Sequence, residues 1–406
     1  MIFSTARSMG MYKQIIKIFD YPLFKSWKVL NTLYILMVVI ASLQQIFGSH
    51  NYYDIFRYSY IHLTHKVPMY GLHPGEYGDL FLYGPLFAML FAPFSFVPFW
   101  LGWFLWIAFN SWILYYAIRK LNISRQQQIV ILFLISHELL TTIQRGTVNP
   151  FITACIILPF VFTEKKKETW ATFFIAMGML MKIYPVVALA CFPFSTNKIK
   201  FISSFIIWTI VLAFVPLLVT DFDFLSLTYQ QWIQQLVAKN DLNVQVTSLQ
   251  DISVFGLIRR GLGWAAMPTL PLLALGSLAM GSVYIYYRQY QQTYFQLMVL
   301  AAILIFCTIF STGSESSTYI IAMTGVAIWY ILQPRPVSKL DLCLIIFAFL
   351  LISMSPSDLV PGIIKKFIVK KSLKALPAIV IWLYILFQLH KTGIKKQPSL
   401  DPGLAA

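Results

Sequence analysis

Apolar runs broken by charged or proline-bearing turns dominate this 406-residue chain and decide what it can fold into. A membrane-crossing helix needs ~20 apolar residues, at ~1.5 Å each across ~30 Å of hydrocarbon. Twelve runs approach that length: Leu30–Phe47, Phe99–Ile118, Gln128–Ile143, Asn149–Phe162, Trp170–Met181, Tyr184–Phe194, Phe201–Val219, Met267–Tyr287, Tyr294–Thr312, Tyr319–Leu332, Leu340–Ser355 and Leu376–Leu389. Hydrophobic residues make up 58% of the chain and charged residues 11%, where soluble domains carry about 25% charged. The expectation is an all-α polytopic membrane protein, a bundle of about 12 helices (11–13), with residues 1–406 forming one domain. A soluble enzyme, a secreted disulfide scaffold and a disordered tail protein are excluded. Cys155, Cys191, Cys307 and Cys343 stand singly in apolar runs with no CxxC spacing, so they read as buried, inert thiols.

Thirty-one Lys and Arg against 15 Asp and Glu give a net charge of +16. In a chain this apolar, the positive-inside rule accounts for the excess better than nucleic acid does. Lys13, Lys17, Lys25 and Lys28 precede the first run without a signal-peptide pattern, which predicts an uncleaved first span and a cytoplasmic N-terminus. Arg119, Lys120 and Arg125, Lys165–Lys167, Lys198 and Lys200, and Arg335 with Lys339 then fall on the same side, as does a tail of about 391–406. The acids gather opposite: Asp54, Glu76 and Asp79 in a first outer loop (about 48–82), and Asp221, Asp223, Asp241 and Asp251 in a second (about 220–265). Glu315 and Asp358 join them. An inner (plasma) membrane location with both termini cytoplasmic follows. Two segments fit less simply. Lys365, Lys366, Lys370, Lys371 and Lys374 would lie outside, on an amphipathic interfacial helix. Tyr83–Pro98 is apolar and proline-broken, and is read as re-entrant or interfacial in preference to a full span.

The stretch from Trp170 to Phe194 is too short for two full crossings, yet has basic loops at both ends. It must turn within the bilayer or near its outer face, at Lys182-Ile183-Tyr184-Pro185, where proline blocks helix continuation. Irregular backbone at that depth is tolerated only when buried in protein or lining a cavity. A lysine is therefore predicted at the tip of a broken helix.

Chemistry-bearing residues concentrate in the first outer loop, which holds His50, His62, His65 and His73, four of the six histidines. Asp54 lies just past the first span among Tyr53, Arg57 and other aromatic and polar residues, where a carboxylate can accept a proton from a hydroxyl. The alternative is a solvated interfacial acid. His62 and His65 have helical i,i+3 spacing but no obvious third ligand, so no metal is expected and interfacial histidines are favoured. Gln144-Arg145-Gly146-Thr147-Val148-Asn149-Pro150 is a polar kink on the outer side. Arg145 is either a snorkelling cation or, beside Lys182, half of a pair suited to a lipid phosphate. Glu138 reads as a structural partner for a cation or for His137. Gly313-Ser314-Glu315-Ser316 is a polar outer turn, and the second loop carries Tyr229, Trp232 and Trp264 among amides. No Walker loop, GxGxxG, HExxH or GxSxG pattern occurs.

Taken in order, Tyr53-Asp54-Ile55-Phe56, Val67-Pro68-Met69-Tyr70, Tyr83-Gly84-Pro85-Leu86, Ala92-Pro93, Val97-Pro98, Gln144-Arg145-Gly146-Thr147-Val148-Asn149 and Lys182-Ile183-Tyr184-Pro185 form a pattern. It resembles the polyprenyl-phosphate-mannose-dependent α-mannosyltransferases, glycosyltransferase family 87 of the GT-C superfamily. The motifs cover roughly the first half. Two depart from the family: its Tyr-Pro-Pro is Tyr83-Gly84-Pro85 here, and its Gly-Gln-x-Asn is replaced by the Arg145-containing turn. The resemblance implies a GT-C bundle with an extracytoplasmic cavity, a polyprenyl-phosphate sugar donor (commonly mannose), and inverting, metal-independent transfer to a glycan or glycolipid acceptor without a cofactor. It maps the general base onto Asp54. Lys182 and Arg145 would then stabilise the departing phosphate, with Tyr53, Arg57, His62, Tyr83, Asn149, Tyr184 and Glu315 as substrate contacts. A transporter or flippase of a lipid-linked sugar also suits broken helices and intramembrane cations, although no internal repeat is apparent. An O-antigen-type polymerase or ligase is a third reading.

Overall fold

The computed structural model describes residues 22–48, 51–357 and 360–394, and every regular element among them is helical. Lys13, Lys17, His50, Asp358 and most of the expected tail fall outside the described residues. In chain order the helices are α1 (Trp27–Ile46), α2 (Asn51–His65), α3 (Pro85–Ser95), α4 (Phe99–Arg119), α5 (Arg125–Gln144), α6 (Asn149–Glu164), α7 (Glu168–Met181), α8 (Lys198–Phe214), α9 (Phe222–Val244), α10 (Thr269–Gly281), α11 (Thr293–Ile309), α12 (Tyr319–Ile331), α13 (Lys339–Ala348), α14 (Gly362–Lys370) and α15 (Ala375–Ile394). Local chemistry sets their starts. Ser26, Asn197, Asp221 and Ser338 each accept a first-turn N–H, and Ser124 forms a reciprocal capping box with Gln127. Pro85 and Pro150 open α3 and α6, where a missing N–H costs nothing.

Contacts between turns define two ends of the bundle. At one end Asn122 Nδ2 and Thr293 Oγ1 both donate to Glu164 Oε1, at 2.7 and 3.2 Å, and Gln127 Nε2 donates to Ile331 O at 3.3 Å. Arg119 stacks on Trp27 at 4.2 Å, and Glu168 Oε1 accepts from Ser195 Oγ and Thr196 Oγ1, each at 3.2 Å. The basic turns therefore share this end. At the other, Gly84 N donates to Met181 O at 2.9 Å, Lys182 Nζ to Asn149 Oδ1 at 3.0 Å and Lys374 Nζ to Ser316 O at 2.9 Å.

Glu168 also explains the short hairpin. It ties the start of α7 to the far end of a 3-10 helix, Tyr184–Phe194, so the chain goes out and returns. The legs are ~21 Å at 1.5 Å per residue and ~22 Å at 2.0 Å per residue, and neither crosses ~30 Å of hydrocarbon alone.

Among the described residues, four helices are long and apolar enough to cross a membrane: Trp27–Ile46, Phe99–Arg119, Lys198–Leu218 and Ala375–Gly393. The sequence reading counts twelve. The other runs form shorter or interrupted helices, except α5, which has the length but not the apolarity. Position in the bundle accounts for the difference. Residues of α6, α11 and α12 are buried nearly all round, whereas α1 exposes Ile35 and Ile40 and α8 exposes Ile206, Ile207 and Ile210. A helix sheathed by others need not match the hydrocarbon thickness, while one facing lipid must present apolar side chains. Cys155, Cys191 and Cys307 are buried free thiols; Cys343, expected to be buried, is exposed on α13.

Three expectations about the loops are refined. Helix α3 has 11 residues, ~16 Å, and both of its ends pack on α2: Phe56 meets Tyr83 and Phe87 at centroid distances of 5.3 and 4.7 Å, and Tyr53 Oη donates to Phe94 O at 2.7 Å. The second outer loop is mostly the 23-residue helix α9, whose cap Asp221 also receives the Lys66 ammonium. The basic segment after residue 362 is divided. Its first part is the amphipathic helix α14, with Ile363 and Phe367 exposed, but Lys374 is buried inside the bundle.

Lys374 Nζ lies 2.9 Å from Glu138 Oε1 and donates to Ser316 O and Oγ, each at 2.9 Å. It is held there by a polar knot: Arg259 meets Asp251 at 3.4 Å, Arg260 reaches Ser372 Oγ and Asp251 O, and Lys371 donates to Arg260 O at 3.1 Å. Removing one member of a buried ion pair strands the other charge, which costs about 3–5 kcal/mol, while an apolar pair of similar volume is tolerated. Lys374→Met should therefore lower the thermal midpoint of the detergent-solubilised protein sharply, and adding Glu138→Met should recover most of the loss.

Candidate active site

The break after α7 is the centre of the site. Lys182 is extended, at φ −153° and ψ 116°, and Pro185 prevents the α-helix from resuming. Lys182 Nζ donates to Asn149 Oδ1 and lies 4.8 Å from the Tyr184 ring and 5.7 Å from the Tyr83 ring. Both rings can stabilise a cation through their faces. Among the described residues no carboxylate lies within ion-pair distance of Lys182, although Glu315 acts on it electrostatically.

Asn149 is fixed from behind. Its Nδ2 donates to Thr147 Oγ1 at 3.2 Å and Ser317 Oγ at 3.4 Å. The preceding turn is pinned by Asn110 Nδ2 to Thr147 O at 2.6 Å and by Trp106 Nε1 to Gly146 O at 3.0 Å. Gly146 adopts φ +67°, and a Cβ there would collide with the Trp103 ring. On the opposite side, Tyr83 is held by Phe56 and stacked on Phe87 at 4.7 Å, while Trp232 Nε1 donates to Leu82 O at 3.1 Å. A Cβ on Gly84 would strike Leu180 O, so this close approach of α3 to α7 requires glycine. The family's Tyr-Pro-Pro departs to Tyr83-Gly84-Pro85 at this contact.

Charge collects around the mouth. Tyr52 has its hydroxyl pushed up to about 12, first by burial and then by the Glu315 and Asp79 carboxylates, with Arg145 opposing. Tyr83 is shifted in the same direction, chiefly by burial, with Tyr52 and Glu315 contributing. Lys182, Asn149, Tyr83, Tyr184, Glu315 and Arg145 are thus brought to one region from four separate segments. Tyr52, Asp79, Ser317 and Trp232 belong to it as well; Asp79 reads from sequence only as an outer-loop acid, and neither Tyr52 nor Ser317 is expected at the site. Tyr52 and Phe56 share a helical face at i,i+4, which was the available signal.

The remaining candidates lie on α2. Tyr53 has no exposed surface and is packed against Phe91, Phe99 and Trp103. Asp54 is in the first turn, about 200° around the helix from Tyr52. Arg57 follows one turn later, half-buried, with Nε unpartnered. His62 is buried against Glu76 and His73; His65 is exposed and directs Nδ1 to its own helix at Ile61 O, so the i,i+3 pair is not formed. An apolar recess of about 250 Å3, lined by Leu189, Phe192 and Phe205 among others, lies farther along the 3-10 helix and carries no charged group.

The helical bundle thus gathers a half-buried cation, aromatic rings and amides at one end. The model of glycosyltransferase family 87 matches residues 81–312, more than half of the chain, and the protein belongs to that family as a membrane glycosyltransferase. The matched span contains Tyr83, Arg145, Asn149, Lys182 and Tyr184 and extends past the motifs read from the first half; Asp54 and Glu315 lie outside it. No curated protein matches the chain.

Gly146 offers a direct test of the site's scaffold. Gly146→Ala combines left-handed strain, ~1–3 kcal/mol, with overpacking of about 1–3 kcal/mol. Gly71, at φ +124° with open space around it, carries only the strain. Gly146→Ala should lower the thermal midpoint more than Gly71→Ala and should reduce glycosyl transfer; equal midpoints would remove the packing argument.

Proposed function

We propose that the protein transfers a sugar, mannose by family resemblance, from a polyprenyl-phosphate donor to a glycan or glycolipid acceptor, with inversion. The observation that carries this reading is the bonding of Lys182. Its ammonium is fixed by a neutral amide and two rings, so its charge is available to the phosphodiester that joins the sugar to the lipid and to the phosphate monoester left after transfer. The basic turns at the opposite end of the bundle support an orientation with both termini cytoplasmic and the site extracytoplasmic, in the inner membrane.

In the proposed single displacement, Asp54 removes the proton from the acceptor hydroxyl as its oxygen attacks the anomeric carbon. The bond from that carbon to the phosphate oxygen breaks, and polyprenyl phosphate leaves. Lys182 and Arg145 stabilise the growing negative charge, and Glu315, Tyr83, Tyr184 and Asn149 hold the donor end. Asp79 is a second candidate for the base, because its charge acts on Tyr52 and Tyr83 at the mouth of the site.

Incubating the purified protein with polyprenyl-phosphate mannose and acceptor glycolipids, then weighing the products, tests the reaction. An unaltered donor across a broad acceptor panel would favour transport, and transfer only from pyrophosphate-linked oligosaccharides would favour a polymerase. Loss of general-base catalysis costs about 10²–10⁴-fold in rate, so Asp54→Asn should fall by that much while Asp79→Asn stays near wild type. The reverse result would move the role to Asp79. Asn149→Asp should raise the donor KM more than Asn149→Ala, since a carboxylate at 149 would neutralise Lys182; identical effects would sink the phosphate role.

A further inference from the structure

Outside the site, a second polar cluster lies where α2 meets the turn at 73–77. His62 is 2% exposed, and neither of its ring nitrogens has a hydrogen-bond partner. His62 Nε2 is 2.7 Å from Glu76 Oε2, but the two are not aligned as a hydrogen bond, and that carboxylate oxygen is itself buried and unpartnered. His73 Nδ1 stands 3.7 Å from the same oxygen, and the two imidazoles lie with centroids 4.4 Å apart. The other nitrogen of His73, Nε2, is 3.1 Å from Pro68 O. That bond requires a proton on Nε2, so in the neutral ring the Nδ1 lone pair faces the cluster, as second-shell carbonyls arrange for ligating histidines.

We propose that His62, His73 and Glu76 form a divalent-cation site of the zinc type, which fastens the first outer loop to α2. One donor atom from each residue can be chosen so that all lie within 4.8 Å of one another. Donors bonded to zinc at ~2.0–2.2 Å in tetrahedral geometry stand about 3.3–3.6 Å apart, and the two distances to Glu76, 2.7 and 3.7 Å, bracket that spacing. Two imidazoles and a carboxylate suit zinc better than calcium or magnesium, which take oxygen ligands. The cation has no part in sugar transfer. It closes the chain between His62 and His73 into a clasp, and Phe81, Leu82 and Tyr83 leave from that clasp toward Lys182.

The test uses the full chain in detergent, stripped with a chelator and titrated with Co²⁺. Wild type should take up about one equivalent, show the intense visible d–d absorption of tetrahedral cobalt, lose it to added Zn²⁺, and unfold at a higher temperature with either metal. His73→Ala and Glu76→Gln remove partly exposed ligands and should weaken Co²⁺ binding by more than ~10-fold, with His65→Ala unchanged. Absence of the band and of the thermal shift in wild type would overturn the site, leaving a metal-free ion-pair cluster. So would a His65→Ala loss equal to that of His73→Ala.

Discussion

Backbone that leaves the helix at membrane depth has no water to satisfy it, so it must be wrapped in protein. The rest of this structure follows from meeting that condition at Lys182. Met181 O is taken by Gly84 N and Lys182 N by Gly178 O. The first contact requires α3 to lie against α7, which in turn requires a residue without a side chain at 84. Trp232 closes over the approach by bonding Leu82 O, which is why the long helix α9 folds back onto this end. The shortness of the interior helices and the polarity of their ends are one arrangement: helices that stop early leave room for amides and charges inside a sheath of longer, apolar ones.

Two lysines enter this interior with different consequences. Lys374 is neutralised by Glu138 and saturated by Ser316, and so serves the architecture. Lys182 is oriented by an amide oxygen and aromatic faces, which fix its position while leaving its charge to act on something else. A carboxylate supplies both hydrogen bonding and countercharge, whereas an amide supplies only the first. That distinction separates a structural cation from one suited to an anionic substrate.

Much of this was legible in the residues. The helical class followed from the apolar runs, the hairpin from its length and flanking charge, and the broken helix from Lys182 preceding Tyr184-Pro185. What escaped depended on contacts distant in sequence. Nothing local to Lys374 distinguishes it from Lys370 or Lys371; Glu138 on α5 and Ser316, both distant in sequence, draw it inward. His62 was paired with His65 by helical spacing, but the turn at Pro74-Gly75 brings His73 and Glu76 against the ring. A His-x-x-Glu step lay in plain view there. Tyr52 reads as one more interfacial aromatic until α2 is given an orientation, which the chain's periodicity does not supply.

The ion pair inside the bundle also has a consequence for synthesis. Glu138 and Lys374 are 236 residues apart in the chain, so at ~5–20 residues per second the acid is made on the order of ten to fifty seconds before its partner. Through that interval α5 holds a carboxyl group whose eventual countercharge does not yet exist. The base also depends on contacts within its own end of the bundle, since Arg260 and Ser372 meet Asp251 where the turn ahead of α15 carries Lys374 into place. The pair can close only once Lys374, immediately ahead of α15, has been made, and a chain cut short before that lysine would leave the Glu138 carboxyl without its partner.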